Sequence, residues 1–241
     1  MEALAARWQI AAVHAFGAVG STLDVAHALA PAATSGTLVL ADEQTAGRGR
    51  HGRRWTSAAG AGIWLTLIER PSDTRALDVL ALRCGLYVAE VLDDLAGATV
   101  RVKWPNDLFV GDRKLAGTLI ETRWRGTAPE WVAIGFGLNV SAPHLDSGIG
   151  LAAGVTRLAT LDRIVPALRR AAAATRHLSE SELARWCARD LSTGRDVTEP
   201  GAGVVQGISA AGELLITTGG EGRISAFRSG SLTFGTPLSC S

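Results

Sequence analysis

The sequence predicts an α+β fold in which a mixed β-sheet with flanking helices is followed by a small β-barrel. Three observations support this prediction. Between residues 37 and 140, short apolar runs bounded by Gly and Pro surround one long segment of helical periodicity. Two further helical segments follow. Beyond residue 191 the pattern changes to short strands separated by Gly-rich turns, which is typical of a small barrel.

The first part of the chain supplies the predicted sheet. Residues 37–43 predict a buried strand, and residues 63–69 predict a second one after a loop rich in Gly and Arg. Residues 74–95 carry apolar side chains at helical spacing, which predicts an amphipathic helix ending near Gly97. Pro105, Gly111 and the turn at 126–129 separate three more predicted strands, at residues 100–104, 115–124 and 131–140.

The last part of the chain supplies two helices and the barrel. Helices are predicted at 161–177 and 179–191, and the second begins with Ser179 followed by Glu182, the spacing of a capping box. Barrel strands are predicted at 204–208, 213–217 and 224–228. We therefore predict two domains, residues 1–191 and 192–241.

Composition excludes several classes of function. The formal net charge is +1, so no long-range field would attract the protein to nucleic acid or a membrane. The N-terminus has no signal-peptide pattern and no apolar run approaches the ~18 residues of a membrane span, so a cytoplasmic location is expected. Three widely spaced cysteines and five scattered histidines match neither a disulfide framework nor a metal-ligand spacing.

Residues 47–55 form the first segment with functional chemistry. Its glycines allow close approach of the backbone to a ligand, and its four arginines can bind carboxylate or phosphate oxygens. These arginines repel one another without an anion, so we expect the loop to be mobile when empty and ordered by an anionic ligand. A solvated basic loop and a contact to nucleic acid are the alternatives.

Two further segments suggest nucleotide chemistry. Residues 103–117 contain Lys103 and Lys114, the only lysines among 24 basic residues, together with two carboxylates around a predicted strand-turn-strand. A carboxylate that holds Mg²⁺ on ATP beside a charge-stabilising lysine suits nucleotidyl transfer, whereas surface ion pairs on a hairpin are the alternative. Residues 135–139 end a strand with two glycines and Asn139, which would admit a nucleotide or only close backbone packing.

Taken in this order and spacing, these segments resemble biotin protein ligases, and the resemblance covers roughly residues 15–241. The matching segments are Ser21-Thr22, 44–53 (QTAGRGRHGR), 103–107 (KWPND), 113–117 (RKLAG) and 135–139 (GFGLN). The family implies a catalytic domain related to class II aminoacyl-tRNA synthetases, followed by an SH3-like barrel. Some relatives carry an N-terminal helix-turn-helix. Because the Ser-Thr element begins at residue 21, we expect a ligase without repressor function.

The resemblance also implies roles for individual residues. Leu23 stands where the family usually has Asn. Lys114 corresponds to the lysine that contacts the biotin carboxylate and the α-phosphate, and Lys103 is expected to support the same phosphates. Biotin would contact Ser21, Thr22, Leu23, Gln44, Gly47, Arg48, Gly49, Arg50, Lys114, Gly117 and Gly135. The nucleotide would contact Arg50, Arg53, Trp55, Asn106, Asp107, Lys114 and Asn139. Catalysis would depend on Lys114, Arg48, Asp107 and Lys103, with Asp107 as the Mg²⁺ ligand.

The activity implied is ATP-dependent biotinylation of a protein. Biotin would be converted to biotinyl-5′-AMP with release of pyrophosphate and then transferred to a lysine. The acceptor would be the biotin carboxyl carrier domain of acetyl-CoA or acyl-CoA carboxylase or of pyruvate carboxylase. No nucleic acid or membrane partner is expected, and the protein would be a monomer or weak homodimer.

Two other functions compete with this one. A lipoate ligase or a lipoyl/octanoyl transferase shares the catalytic fold, but the arginine-rich loop and the KWPND segment favour biotin. A regulatory or nucleic-acid-binding module would use the basic loop without catalysis. The charge near zero and the single tyrosine, Tyr87, argue against that class.

Overall fold

The computed structural model describes residues 1–143, 147–219 and 222–235. The helices are α1 (Glu2–Trp8), α2 (Thr22–Leu29), α3 (Thr74–Asp78), α4 (Leu80–Ala96), α5 (Arg157–Ala173) and α6 (Glu180–Arg189). The strands are β1 (Ala12–Val19), β2 (Thr37–Gln44), β3 (Gly62–Glu69), β4 (Arg101–Lys103), β5 (Asp107–Val110), β6 (Arg113–Arg125), β7 (Ala128–Asn139), β8 (Asp196–Glu199), β9 (Gly203–Ile208), β10 (Leu214–Thr218), β11 (Arg223–Phe227) and β12 (Thr233–Phe234).

The larger sheet has seven strands in the order β1-β2-β3-β7-β6-β5-β4. β1 pairs with β2 in parallel and the other neighbours are antiparallel, which confirms the predicted mixed sheet. Every residue of β3 is buried. This follows because α2 covers one face of the sheet, where Val39 and Ile68 meet Ala26, while α4 and α5 cover the other.

One predicted helix is divided in the structure. The helix expected at 74–95 is interrupted at Val79, whose φ of −114° and ψ of 5° lie outside the helical region. Asp73 caps the short α3 by accepting a hydrogen bond from the Arg75 backbone N–H. The prediction of a continuous helix was wrong because the apolar side chains keep helical spacing across a backbone break that periodicity does not reveal.

Three N-terminal elements were not predicted. β1 lies at the edge of the sheet and exposes most of its side chains, including Phe16, so it lacks a continuous apolar run. α1 and α2 have seven and eight residues. Helices this short present too few turns for their periodicity to be recognised.

The second sheet has five antiparallel strands in the order β11-β10-β9-β8-β12. Val197, Val205 and Ile216 of this sheet belong to the same hydrophobic core as α4 and the larger sheet. The Trp104 indole N–H donates to the carbonyl of Gly212 at 3.0 Å. The second sheet therefore contacts the larger one beside the 103–107 segment. Among the helices that the structure describes, none combines the length and apolarity needed to cross a membrane.

Candidate active site

The floor of the candidate site is a patch of sheet without side chains. Gly117 on β6 pairs with Asp107 on β5 and with Gly137 on β7, and Gly135 lies two residues along the same face of β7. A Cβ atom at Gly137 would lie 2.8 Å from the Trp55 ring, and one at Gly135 would lie 3.1 Å from Leu23. These glycines therefore allow close packing, which was the alternative to nucleotide binding for residues 135–139. They lie at the border of a cleft.

Most of the predicted site residues meet in this cleft. Its lining contains Ser21, Thr22, Leu23, Gln44, Arg48, Gly49, Arg50, Arg53, Trp55, Lys103, Asn106, Asp107, Lys114, Gly117 and Gly135. Gly47 instead lines a second hollow, formed by residues 45–54 with Leu119 and Glu121. Asn139 lies apart from the cleft lining.

Asn139 makes hydrogen bonds to the backbone of the protein. Its side chain is buried at the end of β7, and its amide donates to the carbonyls of Ile149 at 3.3 Å and Lys114 at 3.5 Å. It therefore connects β7 to β6 and to the segment that follows residue 147. A direct contact between Asn139 and a nucleotide stays a prediction.

One end of the cleft is built from neutral polar groups. The Gln44 side-chain oxygen accepts from the Thr22 backbone N–H at 2.9 Å and from the Thr22 hydroxyl at 3.1 Å. The Gln44 amide donates to Ser57 at 2.9 Å, and the Thr66 hydroxyl donates to that of Thr22 at 2.9 Å. Ser21 caps α2 by accepting from the Leu23 N–H. These bonds fix Gln44 and Thr22 in one orientation, which suits recognition of an uncharged polar group.

Each arginine of the 47–55 loop has a protein partner. Arg48 is paired with two carboxylates, Asp24 and Glu121. The remaining guanidinium groups donate to Asn106 (from Arg50, 3.4 Å), to Ser231 (from Arg53, 2.5 Å) and to the Thr45 carbonyl (from Arg54, 2.7 Å). The loop is thus tied to α2, to β6 and to the second sheet. Its ordering by an anionic ligand stays a prediction.

Both lysines lie near Asp107: Lys114 forms an ion pair with it, and Lys103 is its partner residue across β4 and β5. The Lys114 ammonium is 2.7 Å from a carboxylate oxygen of Asp107 and 5.0 Å from the centroid of the Trp55 ring. Lys103 lies 4.8 Å from the centroid of the Phe234 ring and 5.6 Å from that of Phe109. Lys114 and Lys103 therefore place two cations, each against an aromatic face, around one carboxylate.

Burial and neighbouring charge change the pKa of two cations in the cleft. Burial lowers the pKa of Lys103; Asp107 opposes this shift, and the positive charge of Lys114 adds to it. Burial likewise lowers the pKa of Arg50, against the attraction of Asp107. Both shifts arise because the cleft removes these cations from water and leaves Asp107 to offset their charge.

The structure adds residues that sequence reasoning missed. Asp24 and Glu121 hold Arg48, while Ser231 and Leu232 enter the cleft from the second sheet. Asp24 directly follows Leu23, the position that departs from the family pattern. That departure was a signal in the sequence that could have drawn attention to Asp24. For Ser231 and Leu232 the sequence offered no chemical signal, because only the packing of the second sheet brings them to the cleft.

Comparison with known proteins identifies relatives over most of the chain. A model described as the Biotin/lipoate A/B protein ligase family matches residues 19–139. The Bifunctional ligase/repressor BirA of Escherichia coli is 35% identical over 202 residues, which cover 77% of this chain and 63% of that protein. The chain thus spans less than two thirds of that relative. The Biotin–[acetyl-CoA-carboxylase] ligase of Mycobacterium tuberculosis is 33% identical over 218 residues, 82% of this chain and 79% of that protein.

Solved structures show the same fold. A biotin protein ligase from Aquifex aeolicus, in complex with biotin and ATP, matches with a TM-score of 0.73 and 26% identity, covering 92% of this chain and 99% of that one. A biotin protein ligase from Leishmania major, in complex with biotinyl-5-AMP, matches with a TM-score of 0.61 and 25% identity, covering 89% and 98%. The α+β architecture with two sheets is therefore one that biotin protein ligases adopt.

Proposed function

We propose, since the chain belongs to the Biotin/lipoate A/B protein ligase family, that it activates biotin with ATP and transfers it to a lysine of a carrier protein. The observation that carries the proposal is that both lysines of the chain, four loop arginines and Asp107 line one cleft. The Mycobacterium tuberculosis relative is a biotin–[acetyl-CoA-carboxylase] ligase and the solved structures named above are biotin protein ligases, which favours biotin over lipoate.

The first step gathers negative charge where these cations converge. A carboxylate oxygen of biotin attacks the α-phosphorus of ATP, an O–P bond forms, and the bond from phosphorus to pyrophosphate breaks. Lys114 and Arg48 would face the carboxylate and α-phosphate, with Lys103 and Arg50 beside the leaving pyrophosphate. Cations fixed in a cleft before reaction stabilise this developing charge without reorganisation.

The second step transfers the acyl group. The amine of an acceptor lysine attacks the acyl carbon of biotinyl-5′-AMP, loses a proton, and AMP leaves. The 47–55 loop lines the cleft and contacts Glu121 and Ser231, and in this position it would protect the mixed anhydride from water.

Polar atoms in the cleft fit a nucleotide and a metal ion. The Trp55 indole nitrogen is buried and has no hydrogen-bond partner among the described residues, so a ligand acceptor would satisfy it. The Asp107 carboxylate could hold Mg²⁺ together with the phosphates, which is a common arrangement for this ion. When bound, Mg²⁺ would neutralise phosphate charge.

We extend the proposal to the finer expectations from sequence. Residues 192–241 would form an SH3-like domain, and the catalytic domain would be of the class II aminoacyl-tRNA synthetase type. The acceptor would be the biotin carboxyl carrier domain of acetyl-CoA, acyl-CoA or pyruvate carboxylase. The expected cytoplasmic location, the monomer or weak homodimer and the lack of a nucleic-acid partner stay predictions.

ATP–pyrophosphate exchange with Mg²⁺ tests the activity. We expect exchange with biotin but not with lipoate or octanoate, and a loss of about 10²-fold in Lys114→Ala, because an oriented cation at the transition state is removed. Arg125→Ala, at the far end of the same strand, is the matched control and should retain wild-type exchange. Exchange with lipoate alone would assign the protein to the sister activity, and exchange with no acid would contradict the proposal.

A further inference from the structure

Arg48 is held by one nitrogen of its guanidinium group. Nη2 lies 2.9 Å from Asp24 Oδ1 and 3.2 Å from Glu121 Oε2. The contact with Glu121 is a hydrogen bond, and the contact with Asp24 is an ion pair. The three N–H groups on Nη1 and Nε have no partner within the part of the chain that the structure describes. These N–H groups are therefore available to donate to an oxyanion bound in the cleft that Arg48 lines.

Glu121 also contacts His27, which lies next to Trp131. The same oxygen, Oε2, lies 2.7 Å from His27 Nε2, and the Trp131 indole N–H donates to His27 Nδ1 at 3.3 Å. An indole nitrogen is only a donor, so Nδ1 of His27 must accept. The proton of the neutral ring then lies on Nε2, which donates to Glu121. Trp131 is 7% exposed and packs beneath α2.

We propose that Trp131, His27, Glu121 and Asp24 form a positioning relay for Arg48. Trp131 sets the tautomer of His27, His27 orients Glu121, and Glu121 and Asp24 fix Arg48 at the cleft that it lines, which leaves the N–H groups of Nη1 and Nε for a ligand. Asp24 and His27 lie three residues apart on α2, so they share one face of that helix. The inference rests on the proposed function, in which the oxyanion is the carboxylate of biotin or a phosphate of ATP.

The members of the relay should contribute unequally to the positioning of Arg48. The Asp24 side chain is 62% exposed, so its pairing with Arg48 is weakened by solvent, whereas the Glu121 and His27 side chains are each 31% exposed. The position of Arg48 is therefore expected to depend most strongly on Glu121, less on His27 and least on Asp24.

Steady-state exchange kinetics test the relay. Glu121→Ala should raise the KM for the substrate whose oxyanion meets Arg48 by about 5- to 10-fold while kcat changes less than about twofold, because an oriented cation is lost from binding. A rise for biotin alone identifies the carboxylate, and a rise for ATP alone identifies a phosphate. Glu121→Gln keeps an oxygen that can accept from both partners, so it should restore much of the affinity. His27→Leu should raise the same KM about twofold to threefold.

Matched controls separate positioning from general damage. Glu130→Ala removes a carboxylate paired with Arg125 on the same hairpin, and His177→Leu removes a histidine paired with Asp78; both should retain wild-type KM values. Rises in both KM values would support Arg48 contacting both groups, as in the proposed first step, whereas a Glu121→Ala enzyme indistinguishable from Glu130→Ala would overturn the relay.

Limited trypsin digestion without substrates tests the relay independently of activity. The arginines of the 47–55 loop are trypsin sites, so loosening Arg48 should speed cleavage there several-fold in Glu121→Ala and His27→Leu but not in the controls. Unchanged cleavage would overturn the relay even in an active enzyme. A wild-type protein without biotin-dependent exchange would overturn the proposed function instead, while the digestion still reports on the relay.

Discussion

A missing side chain at Gly137 determines where Trp55 lies. The indole ring occupies the space that a Cβ atom would fill and meets Trp64 edge-on, with 6.5 Å between ring centroids. Trp55 in turn provides the aromatic face beside the Lys114 ammonium. One glycine on the central strand β7 thus places both Trp55, the predicted nucleotide contact, and the aromatic face beside Lys114, the lysine proposed to act in catalysis.

Gly137→Ala should therefore impair the site more than the fold. The added methyl group must displace the Trp55 ring, which lies 2.8 Å from its position, and with it the aromatic face beside Lys114. We expect the KM for ATP to rise about tenfold, since stacking and cation–π contacts contribute about 1–2 kcal/mol together. Gly17→Ala on β1, where no atom lies within 4 Å of the new Cβ, is the control and should leave exchange kinetics unchanged. An unaltered ATP affinity in Gly137→Ala would contradict this role of Trp55.

Helix α4 packs against β4, β5 and β6, the strands beside the candidate active site. It contributes Cys84, Val88 and Leu92 to the core and ends at Gly97, which adopts a left-handed conformation with φ of 65°. Gly85 lies within the same helix, where a Cβ would make an ordinary 3.7 Å contact with Leu108. Gly97 therefore requires a left-handed backbone, whereas Gly85 has an ordinary helical backbone.

Alanine substitutions at these two positions should change stability in opposite directions. Gly97→Ala should lower the free energy of unfolding by about 1–2 kcal/mol, because a side chain disfavours the left-handed conformation. Gly85→Ala should raise it by about 0.5–1 kcal/mol, because alanine has the higher helix propensity and the contact is not strained. Urea denaturation followed by circular dichroism measures both. A shift of the same sign in both variants would refute the assignment of α4.

The second sheet takes part in the cleft of the larger one. Ser231 accepts a hydrogen bond from Arg53, and two cations lie against the Phe234 ring, with Arg195 at 3.5 Å and Lys103 at 4.8 Å from its centroid. Arg195 and Phe234 belong to the C-terminal part of the chain, whereas Lys103 belongs to the 103–107 segment. The position of Lys103 therefore depends on how the two sheets pack.

Phe234→Leu should raise the KM for ATP about threefold to fivefold while the KM for biotin stays within about twofold. Leucine keeps much of the apolar contact but removes the π face, which contributes about 0.5–1 kcal/mol to holding a partly exposed cation. Steady-state exchange with each substrate varied in turn provides the measurement. Phe227→Leu, in the same sheet but outside the cleft lining, serves as the control for changes in packing. Equal changes in both KM values would show that Phe234 acts only on stability.

The sequence by itself determined the elements and residue types that depend on local pattern. Strands β2, β3, β6 and β7, the capping box of α6 and the change to short strands after residue 191 follow from periodicity and capping, which act within a few residues. The motif segments likewise predicted most of the cleft lining, from Ser21 to Gly135.

The tertiary structure alone decided which distant groups meet. It brought Glu121 to Arg48 and Ser231 to Arg53, separated by 73 and 178 residues in the chain, and it placed Asn139 among backbone carbonyls beside the cleft. It also broke the predicted helix at Val79. These features depend on the order and pairing of strands and on the packing of one sheet against another. No local pattern records them, because a hydrogen bond across the fold leaves the periodicity of each partner unchanged.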